Sequence, residues 1–338
     1  MKKFVARHGW YGRFVAVLMM SVWAGIAGAQ DLKSCKILVV MSYEENFPGD
    51  IAAKEGIEDA LPDTCEVTYF YMDTKKNLAG GEQKAKEAYE LFQAFQPDGV
   101  ITVDDNAQSM FVVPYVKDKA QTPVMFCGVN ADPAKYGYPT AQISGILERE
   151  QIKESLTFAH QLLPEIKTFA YIQKTDPSAD AVIAQIQAEV ASYPLQLVAT
   201  KQVKTTQEAL AAIEELKPAC DVLLTATMQG LLDDQGQPLH DKAAIQLVTK
   251  AFGKPVIGLN SHNPQFGLLC VVAKTMQEQG GTAAKMLLQA LQGTPVSELA
   301  VTQNQYGKKI LNVDVMQALG IKPKAAVIRG AEMIKTER

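Results

Sequence analysis

The chain has 338 residues, 33 of them basic and 37 acidic, and it is 47% hydrophobic and 21% charged. At about 150 residues per domain, that length predicts roughly two domains, and the composition excludes a disordered or low-complexity chain. Five cysteines are too few for a disulfide scaffold, and 23 glycines and 16 prolines scattered without period exclude a collagen-like chain.

The N-terminus reads as a targeting segment. Lys2, Lys3, Arg7 and Arg13 precede an uncharged run from Phe14 to Ala29 that closes in Ala27-Gly28-Ala29. A basic leader, a short apolar stretch and a small-x-small site predict a cleaved signal peptide over residues 1–29. The apolar stretch is shorter than the roughly 20 residues of a membrane span. Lipidation would need a cysteine at the cleavage point, and Cys35 lies beyond it after Lys33-Ser34. The expectation is an unlipidated periplasmic protein. Losing four basic residues makes the exported chain more negative, which argues against nucleic acid as a partner.

The remaining sequence alternates strand and helix. Lys36–Met41, Val67–Tyr71, Gly99–Val103, Pro123–Cys127 and Ile143–Leu147 are short apolar runs bounded by turn residues. Ala85, Ala88, Leu91, Phe92 and Phe95 recur at helical spacing between two of them. The pattern restarts with a helix at Gln151–Leu163. Strands are predicted at Thr168–Gln173, Leu195–Thr200, Asp221–Thr225, Pro255–Leu259 and Leu268–Ala273. Helices fall around Ile183–Val190, Thr206–Leu216 and Asp241–Phe252, with a long one at Gly281–Gln292. This series predicts an α/β protein with two Rossmann-like lobes, each a parallel sheet covered on both faces. The lobes are predicted at 30–148 and 149–294, with 295–338 crossing back and packing over both. Cys35 and Cys65 each open an apolar run. If those runs are adjacent parallel strands entered at one level, about 4.8 Å apart, the two thiols meet disulfide geometry. Cys127, Cys220 and Cys270 read as buried thiols.

In open parallel sheets, ligands bind beyond the C-terminal strand ends, and facing lobes make the cleft between them the default site. The first lobe offers Ser42-Tyr43-Glu44, Asp104-Asp105-Asn106 and Gly128-Val129-Asn130 there. The second offers Lys174-Thr175-Asp176, Thr225-Ala226-Thr227-Met228 and Asn260-Ser261. Some of these cap the next helix. Together they suit a small polar zwitterion, with Asp104 or Asp105 for an ammonium and Tyr43, Met228 and Phe266 as candidate wall residues. Catalytic signatures are missing: no HExxH, CxxC, G-x-S-x-G or phosphate loop occurs. Only His262, beside Asn260-Ser261, is placed to face the cleft. The glycine pairs 80–81 and 280–281 are read as helix starts without a dinucleotide fingerprint. Asp233-Asp234 lies in a turn lacking the spaced ligands of a calcium loop. No metal or cofactor is expected.

Several stretches carry a resemblance. VVMSY (39–43), YMDTKKN (71–77), PDGVITVDDNA (97–107), PVMFCGVN (123–130), ISGILE (143–148), EQGGTAAKMLLQALQGTP (278–295) and ILNVDVMQALGIKP (310–323) resemble the periplasmic substrate-binding proteins of ABC importers. The similar group includes tryptophan- and tyrosine-type binders. The resemblance implies the type I periplasmic-binding fold, two lobes joined by three crossovers, and a monomer. It places ligand contacts at Ser42, Tyr43, Asp105, Asn106, Gly128, Asn130, Thr175, Thr227 and Asn260. The loops SYEENFPG after the first strand and QKTDPSAD after the first strand of lobe two depart from the amino-acid binders. The implied function is capture of an amino acid or similar ligand by lobe closure and delivery to a membrane ABC permease. Other readings are a sensor presenting its ligand to a kinase or chemoreceptor, an exported enzyme using Asp104/Asp105 or His262, and a structural or adhesive protein.

Overall fold

The computed structural model describes residues 34–337. The expected signal peptide lies outside the described residues. Strand β1 (Cys35–Met41) leads through helix α1 (Pro48–Ala60) to β2 (Cys65–Tyr71), and α2 (Gly81–Phe95) leads to β3 (Gly99–Val103). A single turn, α3 (Asp104–Asn106), runs into a π-helix, Ala107–Val116, before β4 (Val124–Val129) and β5 (Ile143–Leu147). Pro114 lies inside that π-helix, where it has no N–H to give the ladder.

Side chains alternate across the sheet with the period of two that strands impose. Ile37, Val39, Met41, Ile101, Val103 and Met125 pack on one face. Leu38, Val40, Val100, Val124 and Phe126 pack on the other. Both faces are covered, so the strands read as unbroken apolar runs.

The second lobe starts with α4 (Ile152–Leu162) and β6 (Thr168–Lys174), followed by α5 (Pro177–Glu189), β7 (Gln196–Val203), α6 (Thr206–Leu216) and β8 (Val222–Thr225). Then come α7 (Asp241–Phe252), β9 (Val256–Gly258) and β10 (Cys270–Lys274). Its parallel sheet has the order β7-β6-β8-β9. The turn at Asp233 is tied by its own carboxylate, which accepts from Gln235 and Gln237 N–H.

One expected placement is corrected. The long helix α8 (Met276–Leu291) belongs to the first lobe, where Ala283, Ala284, Met286 and Leu287 join the core of β1, β3 and β4. Apolar periodicity marks a buried helix face and carries no label for the lobe that buries it. Gly280 and Gly281 therefore lie inside a helix instead of starting one. Their role is close approach. A Cβ at Gly280 would strike the Ala53 carbonyl oxygen of α1, and one at Gly56 would strike that of Gln277.

After α8, β11 (Thr302–Gln303) pairs in parallel with β5 and completes a six-stranded sheet of order β11-β5-β4-β3-β1-β2. The chain then returns to the second lobe. There β12 (Gly307–Asn312) runs antiparallel to β10, followed by α9 (Val313–Ala318), α10 (Ala325–Ile328) and β13 (Glu332–Ile334), which pairs with β12. Three segments thus join the lobes, at about residues 148–151, 275 and 304–306, the number the family resemblance implies, where the domain bounds read from the strand-helix pattern hold only the late return over 295–338.

The crossovers are stitched together. Arg149 N–H donates to Asn304 Oδ1 at 2.6 Å, and Asn304 Nδ2 donates to Arg149 O at 3.0 Å. Glu278 Oε1 accepts from Gln305 and Tyr306 N–H at 2.7 and 2.9 Å. At the far edge of the first sheet, Cys35 pairs in register with Cys65, and a disulfide joins them with Cα atoms 4.4 Å apart. Cys127, Cys220 and Cys270 are buried free thiols.

Candidate functional site

A cleft of about 1150 Å³ opens between the lobes at their C-terminal strand ends. The first lobe contributes the loop after β4 (Asn130–Pro133), the end of β5 (Glu148–Glu150) and Gln303. The second contributes α5, with Ala181, Val182, Ala184 and Gln185, and the loops holding Thr227 and Asn260. Of the residues expected to meet a ligand, Asn130, Thr227 and Asn260 line this cleft.

Arg149 lies in the cleft wall and was not among the expected contacts. Its Nη1 donates to the carbonyls of Val129, Asn130 and Glu148 at 3.3, 3.0 and 2.7 Å. Nε and Nη2 have no protein acceptor among the described residues. One nitrogen thus fixes the guanidinium and leaves the others for a planar anion such as a carboxylate. The signal was present in the sequence: Glu148-Arg149-Glu150 follows the fifth strand, whose end was passed over.

Several expected contacts are tied into the fold. Ser42 is buried; its Oγ donates to Val103 O at 2.6 Å and accepts from Ala107 N–H at 2.9 Å. Asn106 Nδ2 donates to Thr74 Oγ1 at 2.8 Å, which donates to Ser42 O. Asp105 accepts from Asn130 N–H, Ala131 N–H and Tyr136 Oη at 3.0, 3.3 and 2.7 Å. Gly128, at φ +71°, donates its N–H to Gln279 Oε1 at 2.9 Å. Thr175 N–H donates to Val203 O, and Asp176 caps α5 through Ala179 N–H. Met228 is wholly buried in the second-lobe core, and Phe266 packs against that core, so neither forms the expected wall.

The carboxylate and amide of the second-lobe loops are tied to protein donors and acceptors, while Thr225 Oγ1 and Asn263 Nδ2 are buried without a partner. Asp241 Oδ1 accepts from Thr227 Oγ1 at 3.1 Å and Met228 N–H at 2.6 Å. His262 Nε2 lies 3.2 Å from Asp241 Oδ2. Asn260 Nδ2 donates to Ala226 O at 3.1 Å.

The first lobe differs. Asp104 sits at φ +68°, a conformation that only a few non-glycine types tolerate. Its carboxylate has no hydrogen-bond partner among the described residues. Burial, reinforced by Glu148, Asp50 and Asp105, pushes its carboxyl well above the usual range. Asp50 is 1% exposed; Oδ2 accepts from Tyr43 N–H at 3.3 Å, while Oδ1 is buried without a partner. Burial and Glu44 push it up to about 7 against the pull of Tyr43 N–H and Lys75. Tyr43 packs edge-on to Phe47 at 4.9 Å, and burial beside Asp104, Asp105, Asp50 and Glu148 raises its phenol. At the crossover, Lys274 Nζ lies 2.9 Å from Glu148 and 2.6 Å from Glu150. The two carboxylates outweigh burial and hold this ammonium above its usual range.

Among the described residues, no group of three or more His, Cys, Asp or Glu is placed to hold a metal ion. No described helix is long and apolar enough to cross a membrane.

The chain is similar to known structures over nearly its whole described length. The ligand-free, open structure of a substrate binding protein with adhesive properties from Clostridium difficile is 18% identical, with a TM-score of 0.67, covering 90% of this chain and 100% of that one. An ABC domain in complex with L-Trp from Streptococcus pneumonia is 18% identical, with a TM-score of 0.52, covering 89% of this chain and 100% of that one. A periplasmic ribose ABC transporter structure from Conexibacter woesei is 15% identical, with a TM-score of 0.50, covering 89% of this chain and 99% of that one. Comparison with curated proteins finds no match. At these identities the likeness establishes the fold, a type I periplasmic-binding architecture of two α/β lobes. The model of a family described as "ABC transporter substrate binding protein" matches residues 46–335. The chain belongs to the ABC transporter substrate binding protein family.

Proposed function

We propose that this protein is an extracytoplasmic receptor of an ABC importer that captures an amino acid or a close relative in the interlobe cleft. The observation that carries this reading is Arg149. Its guanidinium is held by three backbone carbonyls at the crossover, with its remaining donors unused among the described residues. Such a group binds a ligand carboxylate in the planar geometry a guanidinium favours. Asn130, Thr227 and Asn260 add amide and hydroxyl groups from both lobes. A ligand touching both walls is held better by the closed form and shifts the population toward it. The closed form then docks on the membrane permease. The L-Trp complex of a structural relative supports amino acids as the ligand class.

The test uses protein purified after export on its own leader and stripped of bound ligand by unfolding and refolding. A cognate amino acid should raise the melting temperature by mass action and contract the particle in small-angle scattering. Arg149→Gln should lose most of the shift. A panel of amino acids that leaves both readouts unchanged overturns the reading.

A further inference from the structure

We propose that the captured ligand carries net positive charge: a basic amino acid, with its carboxylate at Arg149 and its distal cation against Asp104, Tyr43 and Phe47. This rests on the amino-acid reading above and names its class.

The first-lobe wall holds five carboxylates, Asp50, Asp104, Asp105, Glu148 and Glu150, against Lys75, Arg149 and Lys274. Most are committed. Lys274 pairs with both Glu148 and Glu150, although Glu150 Oε2 stays unpartnered, and Asp105 is held by two backbone N–H groups and Tyr136. Asp50 and Asp104 are left over. The Asp104 carboxylate has no partner among the described residues, and Asp50 Oδ1 is buried and unpartnered. An uncompensated carboxylate out of water, as at Asp50, is costly, and half-buried Asp104 beside it is open to an arriving cation.

The place already takes an ammonium. Lys75 Nζ stands 4.4 Å from the ring centre of Tyr43 and 5.1 Å from that of Phe47. Both rings lie in the SYEENFPG segment that leads into α1, whose first turn carries Asp50. Lys75 itself is exposed and forms no ion pair within 4.0 Å of Asp50 or Asp104, so it is a displaceable occupant. An aromatic pair flanked by carboxylates is a general cation site.

The group is linked to the cleft wall through Gln279. Gln279 bridges Gly128 N–H at 2.9 Å and Glu148 Oε2 at 3.0 Å, and Glu148 lines the cleft. A Cβ at Gly128 would lie 3.3 Å from Asp104 Cγ, so this glycine brings the Asp104 turn against the β4 loop. Asp104 follows β3 and Arg149 follows β5, with β4 between them. Two strand spacings are roughly 10 Å, the reach of an extended lysine or arginine with its hydrogen bonds at each end. A neutral aromatic ligand would instead be buried beside two unpaired carboxylates.

Calorimetry on the exported, ligand-stripped protein would compare L-lysine, L-arginine and L-ornithine with L-leucine, L-tryptophan and 1,4-diaminobutane. A basic amino acid should bind at least tenfold tighter than the neutral ones and than the diamine. Asp104→Asn keeps a residue type that accepts the left-handed backbone and should cost tenfold or more for the basic ligand alone. Lys75→Met should tighten it severalfold, which gives a second readout if the Asp104 variant is poorly folded. Preference for a neutral amino acid, or neither variant changing basic-ligand affinity, overturns the proposal and leaves amino-acid capture standing. A diamine binding as tightly as lysine overturns the two-ended pose. Silence across all the amino acids removes both readings together.

Discussion

The two lobes end their strands with similar residue types and use them differently. In the second lobe, Asp241 is enclosed by Thr227, the Met228 N–H and His262. Asn260 is tied to the Ala226 carbonyl. In the first lobe, Asp50 and Asp104 keep oxygen atoms that no group among the described residues satisfies. The contrast lies in the carboxylates: the second lobe also buries Thr225 Oγ1 and Asn263 Nδ2 unpartnered, but its Asp241 is filled by donors. Under the proposal above, the first-lobe wall is where ligand charge would be read.

The largest effect should come from the contact that couples the two sides. Lys274 is the last residue of a second-lobe strand, and it pairs with both Glu148 and Glu150 of the first crossover. Lys274→Met leaves two mostly buried carboxylates facing each other, at a cost of about 3–5 kcal/mol. Urea unfolding should show that loss; a change within error would mean the crossover tolerates its charge unpaired. Next is the Cys35–Cys65 bridge, which spans 30 residues and pins the edge strand β2 of the first lobe alone. Cys35→Ala with Cys65→Ala should cost about 3–4 kcal/mol by loop-closure entropy. If the lobes unfold separately, only the first transition should move in a calorimetric scan.

Much of this fold was legible because strands buried on both faces leave unmistakable apolar runs. The bridge was legible because Cys35 and Cys65 open adjacent runs at one level. The lobe of α8 was not, since its apolar stripe fits either sheet. The cue was the match of Gly280-Gly281 to Gly56, a contact between distant segments that local spacing does not encode. The site was legible as strand ends and not as roles. Ser42 and Asp105 have the residue types of ligand contacts, yet their hydrogen bonds close within the protein. Arg149 was legible as a charged residue at the end of the fifth strand, but the three carbonyls that orient its guanidinium are contacts that the sequence does not show.

That glycine contact gives the third prediction. Gly280→Ala places a methyl group against the Ala53 carbonyl of α1. Backbone has little room to yield, so overpacking should cost about 2–3 kcal/mol. Gly236 in the second lobe has nothing within 4 Å of its Cβ position. Gly236→Asn, a residue that tolerates its φ of +74°, should fall within about 0.5 kcal/mol of wild type. Equal losses would show that the tight helix contact adds nothing particular to the first lobe.

The smallest effect is the sharpest, because one substitution should change sign between lobes. The Asp50 carboxyl is raised from 3.8 to about 7 in the fold. Between those values the native state holds more protons than the unfolded chain. The stability associated with Asp50 is therefore full below about pH 4 and is lost as pH rises toward 7. Asp50→Asn keeps an acceptor for the Tyr43 N–H and removes the buried charge. It should stabilise the unliganded protein by roughly 2 kcal/mol at pH 7 and flatten the slope between about pH 4 and pH 7. Asp241 has its oxygens filled by donors, and Asp241→Asn turns one acceptor into an amide that faces them. That change should destabilise by about 1–3 kcal/mol. Denaturant midpoints at pH 5 and pH 7 for both variants would decide it. Destabilisation by both would mean that Asp50 is as well satisfied as Asp241, and that the wall of the first lobe is not waiting for a cation.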